Sequence, residues 1–261
     1  MRNLTKRLLG WLSFGVVTFL LSGCLHIVEE VTVRKDGSGS YKMTMDMSEV
    51  KSMMEALKNM GEEESEDQEE QTPDEETPKT DSDEEASDTE GESSMAQLGT
   101  EISSVSQSLR GIAGLTNVKE INDTSTYMFG YSFDFANIEA LNKAIRVIQR
   151  EKYETKVEET FRLKGGTFER LNVADMGEQF KKTLTETEEA DEEGSMDMVK
   201  AFFSGMTYKQ VYRFPDAKVK KSSNPLSELS GDGQSVSILI KPLDEEQQKK
   251  KPSVATVVKL K

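Results

Sequence analysis

Tyr127-Met128-Phe129-Gly130-Tyr131-Ser132-Phe133-Asp134-Phe135 carries an aromatic side chain at every second position. A period of two is that of a β-strand, whose successive side chains point to opposite faces. All five rings therefore share one face, and Met128, Gly130, Ser132 and Asp134 take the other. So much ring surface has to pack under other elements, and the flanking sequence supplies them. Val118 to Asn122 pairs with this strand through a turn at Asp123-Thr124-Ser125. Before it, Met95, Leu98, Ile102, Val105, Leu109 and Ile112 are spaced three and four apart, the apolar stripe of a helix of about five turns. Fewer than three heptads follow, so the stripe reads as a helix covering a sheet rather than a coiled-coil seam. After the strand, Asn137 caps a helix with Ile138, Leu141, Ile145 and Ile148 on one face. Its charges run from Glu139 to Arg146 and Arg150, the order that suits the helix dipole.

Working outward, His26 to Val33 is rich in β-branched residues, Asp36-Gly37-Ser38-Gly39 is turn material, and Tyr41, Met43, Met45 and Met47 alternate with polar partners, which predicts a hairpin. Ser48 is placed to cap a helix carrying Val50, Met53, Met54, Leu57 and Met60 and ended by Gly61. Tyr153 to Leu163 and Thr167 to Val173 read as a second hairpin about Gly165-Gly166. Short helices follow at Met176, Phe180 and Leu184 and at Met196 to Phe203. Met206 to Phe214, Gln234 to Lys241 and Ser253 to Leu260 read as strands. Hairpins separated by helices, without strict βαβ alternation or an internal repeat, predict an α+β domain with a mostly antiparallel sheet covered by amphipathic helices.

The net charge of −15 is local. From Glu62 to Glu92 there are 17 Asp and Glu against one basic residue, Lys79, so this tract accounts for the whole excess and the remainder is close to neutral. The segment 62–94 has no aromatic and almost no aliphatic residue, and it cannot bury enough surface to offset its ordering entropy. It reads as a disordered acidic insertion. No basic patch suits nucleic acid, and the acidic tract repels phosphate.

At the N-terminus, Arg2, Lys6 and Arg7 precede an apolar run of 14 residues from Leu8 to Leu21, which leads to Leu21-Ser22-Gly23-Cys24. The run contains Gly10, Ser13 and Thr18 and falls short of the roughly 20 apolar residues that a membrane-spanning helix needs. The layout resembles the signal peptide and lipobox of bacterial lipoproteins. The resemblance implies cleavage of residues 1–23, a diacylglycerol on the sulfur of Cys24, and acylation of the new amino terminus. Two or more acyl chains hold a protein stably on a bilayer where one is marginal. The mature chain, 24–261, is then a single domain interrupted by the insertion at 62–94. With the single cysteine lipidated, its stability comes from a hydrophobic core without disulfides. Leu25 after the cysteine, in place of Asp, resembles proteins sorted to the outer membrane of diderm bacteria.

A second resemblance lies at the two ends of the mature chain. Cys24-Leu25, the Val-rich strand and the Asp36-Gly37-Ser38 turn, with Tyr212-Arg213-Phe214-Pro215-Asp216 and then Gly233 and Val236, look like the LppM-type envelope lipoprotein domain. That resemblance implies an α+β fold similar to lipid-binding folds. The chain departs from the type in its acidic insertion and in ending at Lys259-Leu260-Lys261 without a hydrophobic anchor.

Motifs for chemistry are sparse. Ser48-Glu49-Val50-Lys51 matches the Ser-x-x-Lys of acyl-transferring serine enzymes, but the partner motifs are absent and a capping serine explains it. Asp81, Asp83, Glu85 and Glu92 fall at calcium-loop spacing, with Ala86 where the sharp turn wants glycine. With His26 as the only histidine, neither a common zinc site nor a Ser-His-Asp triad can be built. Hence no catalytic residue, metal ligand or cofactor is expected. Met43, Met45 and Met47 share one strand face, with Met53 and Met54 close in sequence. Flexible thioethers fill irregular cores and adaptable apolar pockets alike, so these five are the candidate ligand-binding residues. The sequence thus predicts an envelope lipoprotein, joined to the membrane through Cys24, whose domain binds an apolar ligand or an envelope protein partner, with a docking or assembly role as the alternative.

Overall fold

The computed structural model describes residues 25–49, 51–52, 86–149, 159–171, 205–249 and 253–261. The signal segment, Cys24, most of the acidic tract and the helices expected at 53–60 and within 172–204 lie outside the described residues. Eleven strands are β1 (His26–Val33), β2 (Gly39–Asp46), β3 (Leu115–Asp123), β4 (Met128–Phe135), β5 (Phe161–Lys164), β6 (Thr167–Arg170), β7 (Thr207–Arg213), β8 (Val219–Ser222), β9 (Ser227–Leu229), β10 (Ser235–Ile240) and β11 (Thr256–Leu260). Three helices are α1 (Ala86–Arg110), α2 (Ile138–Ile148) and α3 (Glu245–Lys249). Among the described residues, no helix is long and apolar enough to cross a membrane.

The strands form two sheets, a seven-stranded one in the order β3-β4-β2-β1-β7-β10-β9 and a four-stranded one in the order β5-β6-β11-β8. Every pairing is antiparallel except that of β1 with β7, which is parallel. The class is α+β. Because paired residues share a face, the register sets rows across the large sheet. One row reads Phe133, Tyr41, Val31, Tyr212, Val236, and the next reads Tyr131, Met43, Glu29, Gln210, Ile238. This inner face is the core. α1 lies against β3 and β4, α2 reaches from β4 to β5, and the small sheet closes over β7 through Phe168, whose ring is 5.2 Å from that of Tyr212 and 5.5 Å from that of Phe214. Phe129, Tyr131, Phe133 and Phe135 are all buried, each worth about 1.5–3 kcal/mol of transfer free energy.

The aromatic strand and its hairpin with β3 agree with the sequence reading, with a change at one end. Asp123 Oδ1 accepts from Ser125 N at 2.9 Å, Ser125 Oγ at 2.6 Å and Thr126 N at 3.2 Å, and the turn leaves Tyr127 at φ 54°. β4 therefore starts at Met128. Asn137 does cap α2, its side chain accepting from Ala140 N at 2.9 Å.

Other expectations need correction. α1 begins at Ala86, so residues 86–94 are helical and not part of a disordered insertion. The acidic residues Asp88, Glu90 and Glu92 fall in its first turns, where the helix dipole favours negative charge. α1 ends at Arg110, and Ile112 sits in the turn beyond it, its amide donating to Leu109 O at 3.0 Å. At Ser48 it is Asp46 that caps, its carboxylate accepting from Ser48 N at 3.0 Å. The hairpin about Gly165-Gly166 and the strand near the C-terminus agree with the sequence reading as β5–β6 and β11, but their separation into a second sheet, the parallel pair and the short elements β8, β9 and α3 have no counterpart in it.

Candidate functional site

Of the five methionines expected to bind ligand, Met43, Met45 and Met47 are partly buried and pack against the core, while Met53 and Met54 lie outside the described residues. Met43 is held by the tyrosines flanking it. Its Sδ accepts from Tyr131 Oη at 3.4 Å and from Tyr41 Oη at 3.7 Å.

Beside Met43 the core turns polar. Glu29 of β1, 2% exposed, faces the small sheet, and Arg170 of β6 meets it with Nη1 at 2.6 Å from Oε1 and 2.5 Å from Oε2. Tyr208 Oη donates to the same carboxylate, and Arg170 Nη2 donates to Tyr208 Oη at 3.3 Å. The guanidinium also lies 5.4 Å from the centre of the Phe161 ring, within cation–π range. Burial pushes the Tyr208 hydroxyl well above its ordinary pKa, outweighing Arg170, with the Glu29 charge adding to the rise. Burial opposes the charge on Arg170, yet Glu29 and the tyrosines hold its pKa above the ordinary value. Among the described residues, both polar atoms of the buried Gln210 amide have no hydrogen-bond partner. The arrangement binds the two sheets together. No sequence signal marked it, because a Glu in a β-branched strand, here beside Glu30, reads as solvent-facing.

An open groove of about 790 Å³ lies at the other end of β1 from Leu25. Five segments meet there: the β1–β2 turn, the start of α2, the β5–β6 turn, the loop after β7 and the end of β11. Val33, Ile138, Leu163, Ala217 and Leu260 contribute apolar lining, and Arg34, Lys35, Lys164 and Lys261 contribute cations. The three carboxylates of the lining are engaged. Asp36 accepts from Ser38 N at 2.9 Å and Ser38 Oγ at 2.7 Å, and these bonds, the hydroxyl's first, hold its pKa below the ordinary value. Glu139 pairs with Lys143 at 2.8 Å, and Asp216 accepts from the backbone amide of Lys35 at 3.2 Å. Met43, Met45 and Met47 do not line this groove. Among the described residues, no group of three or more His, Cys, Asp or Glu is placed to hold a metal ion. From sequence, the only trace of the groove was its turns, Asp36-Gly37 and Gly165-Gly166.

Fold and groove together define an α+β domain of two sheets with an open groove at one end. No protein-family model matches the chain, and no curated protein matches it significantly. Among solved structures the chain is similar to the folded domain of the Mycobacterium tuberculosis protein LppM, determined by NMR. The identity is 11%, over 92% of this chain and 91% of that one, with a TM-score of 0.41. It is the protein type that the two ends of the mature chain resemble; no functional property is transferred from it.

Proposed function

We propose that this chain is a lipid-anchored protein of the bacterial cell envelope, held through Cys24 at an outer membrane, and that its domain is a non-catalytic binding module for an occupant with an apolar body. The groove carries the reading. Its volume of about 790 Å³ falls in the range of ligand sites, about 300–1,000 Å³, and it combines apolar lining with a few charged groups. Among the described residues the lining has no Ser, Thr, Cys, His or Tyr side chain, and its side-chain carboxylates are engaged in turns and an ion pair. Anchoring rests on the lipobox, and the fold suits it. Leu25 O accepts from Thr207 N at 3.0 Å, so the chain enters the sheet one residue after Cys24.

The test is a photo-cross-linking amino acid at Ile138 in the full-length protein in its own cells, with Ser237 on the opposite face of the large sheet as control. Adducts at 138 and none at 237, identified by mass spectrometry as lipid or polypeptide, support the reading. Equal yields at both positions, or none, reject it.

A further inference from the structure

We infer that the groove takes an extended acidic peptide from a partner protein, its main chain added to the edge of β5, an apolar side chain on the floor and its carboxylates on the rim. This rests on the groove being the binding site. Three observations carry it. The first is charge. Four cations, Arg34, Lys35, Lys164 and Lys261, make no salt bridge among the described residues, against three side-chain carboxylates, of which Glu139 is offset by Lys143 while Asp36 and Asp216 keep their charge. The first turn of α2, whose dipole end is positive, opens on the same space.

The second is an open strand edge. Among the described residues β5 is the outermost strand of the small sheet, and Gly165 and Gly166, at φ 56° and 72°, form the two-residue turn that makes Lys164 and Thr167 a hydrogen-bonded pair. Alternation along an antiparallel ladder then points the amides and carbonyls of Phe161 and Leu163 away from β6. Asn142 takes those of Phe161, accepting from its N at 2.8 Å and donating to its O at 2.8 Å. The next outward pair, at Leu163, opens on the groove. Strand addition to a free edge is a recurring mode of peptide recognition.

The third is position. β1 has eight residues, which at about 3.3 Å each span about 26 Å from the anchored end to the groove. A lipid of the host bilayer would have to leave the membrane by that distance. A segment of another protein meets the groove in the aqueous space.

The test uses the full-length protein in phosphatidylcholine nanodiscs and a fluorescent heptapeptide of alternating Asp or Glu with Leu or Val, read by anisotropy. Saturable binding is expected, at least tenfold weaker with the Asn/Gln counterpart, with a peptide N-methylated at alternate amides, and with the Arg34→Glu/Lys164→Glu protein. Both residues are exposed, so the double variant should stay folded, which circular dichroism checks. Lys42→Glu, on the outer face of β2, should bind as the wild type does. No saturable binding, or equal binding by the groove variant, overturns the inference. So does binding of dodecyl phosphate in the groove without peptide binding, which would assign the site to an anionic amphiphile. Adducts at Ile138 with no peptide binding remove the peptide and leave the groove reading standing, whereas their absence removes both.

Discussion

Glu29 and Arg170 lie 141 residues apart and meet inside the core. Withdrawing two charges from water is costly, and the pair holds because each is hydrogen-bonded by the other and by Tyr208. Arg170→Met should therefore cost about 3–5 kcal/mol, since it strands a buried carboxylate. Adding Glu29→Leu to that variant should recover most of the loss. Urea denaturation of the two variants checks this, and a double variant no more stable than the single one would refute the account. At the surface, Asp123 shows the opposite regime. Hydrogen bonds from Ser125 and Thr126 hold its carboxyl down at about 2. A depressed acid contributes stability that is complete above its ordinary value of 3.8 and is lost as pH falls through about 2. Carbon-detected NMR titration should place the Asp123 midpoint near 2, and a midpoint near 4 would mean that the turn does not hold in solution.

At the scale of elements, α2 couples the two sheets through one polar side chain. Asn142 Oδ1 accepts from Thr160 N at 3.0 Å and Phe161 N at 2.8 Å, and its amide donates to Phe161 O at 2.8 Å. Asn142→Leu keeps the branched shape but not the polar atoms, and leaves these groups without a partner, so it should cost about 3 kcal/mol, each unsatisfied buried group costing about 1–3. Hydrogen exchange at the Phe161 amide should speed up markedly, and unchanged exchange would show that α2 does not secure β5. In β4, Gly130 sits at φ 150°, and a Cβ there would run into the carbonyl of Met43 in β2. Gly130→Ala should lower stability by at least about 2 kcal/mol through backbone strain, measured by thermal unfolding. The alternating rings of β4 and the stripes of α1 and α2 were legible because each depends on residues only two to four apart. The start of α1 was not, because helix propensity and charge placement oppose the low apolar content of residues 86–94.

For the whole molecule, the proposed lipid attachment at Cys24 sets the orientation. If Cys24 is the lipid site, Cys24→Ala should abolish incorporation of a fatty-acid probe and leave the uncleaved precursor. Equal labelling of both proteins would remove the lipoprotein reading. The domain would then stand with β1 starting at the bilayer and the groove about 26 Å away along that strand.

Periodicity, caps and turn chemistry are local, and the sequence by itself determined what rests on them: an α+β class, the β1–β2 and β3–β4 hairpins, the cap of α2 and the lipobox layout. The tertiary structure alone decided which strands became neighbours. The parallel pairing of β1 with β7 joins His26 to Thr207, and no residue near either position signals the other. The same holds for Glu29 with Arg170 and for a groove assembled from five separated segments. Burial and charge pairing between distant residues are properties of the packed chain. Met43, Met45 and Met47, a stripe that reads locally as a binding face, are partly buried against the core, and loops that read as punctuation line the groove.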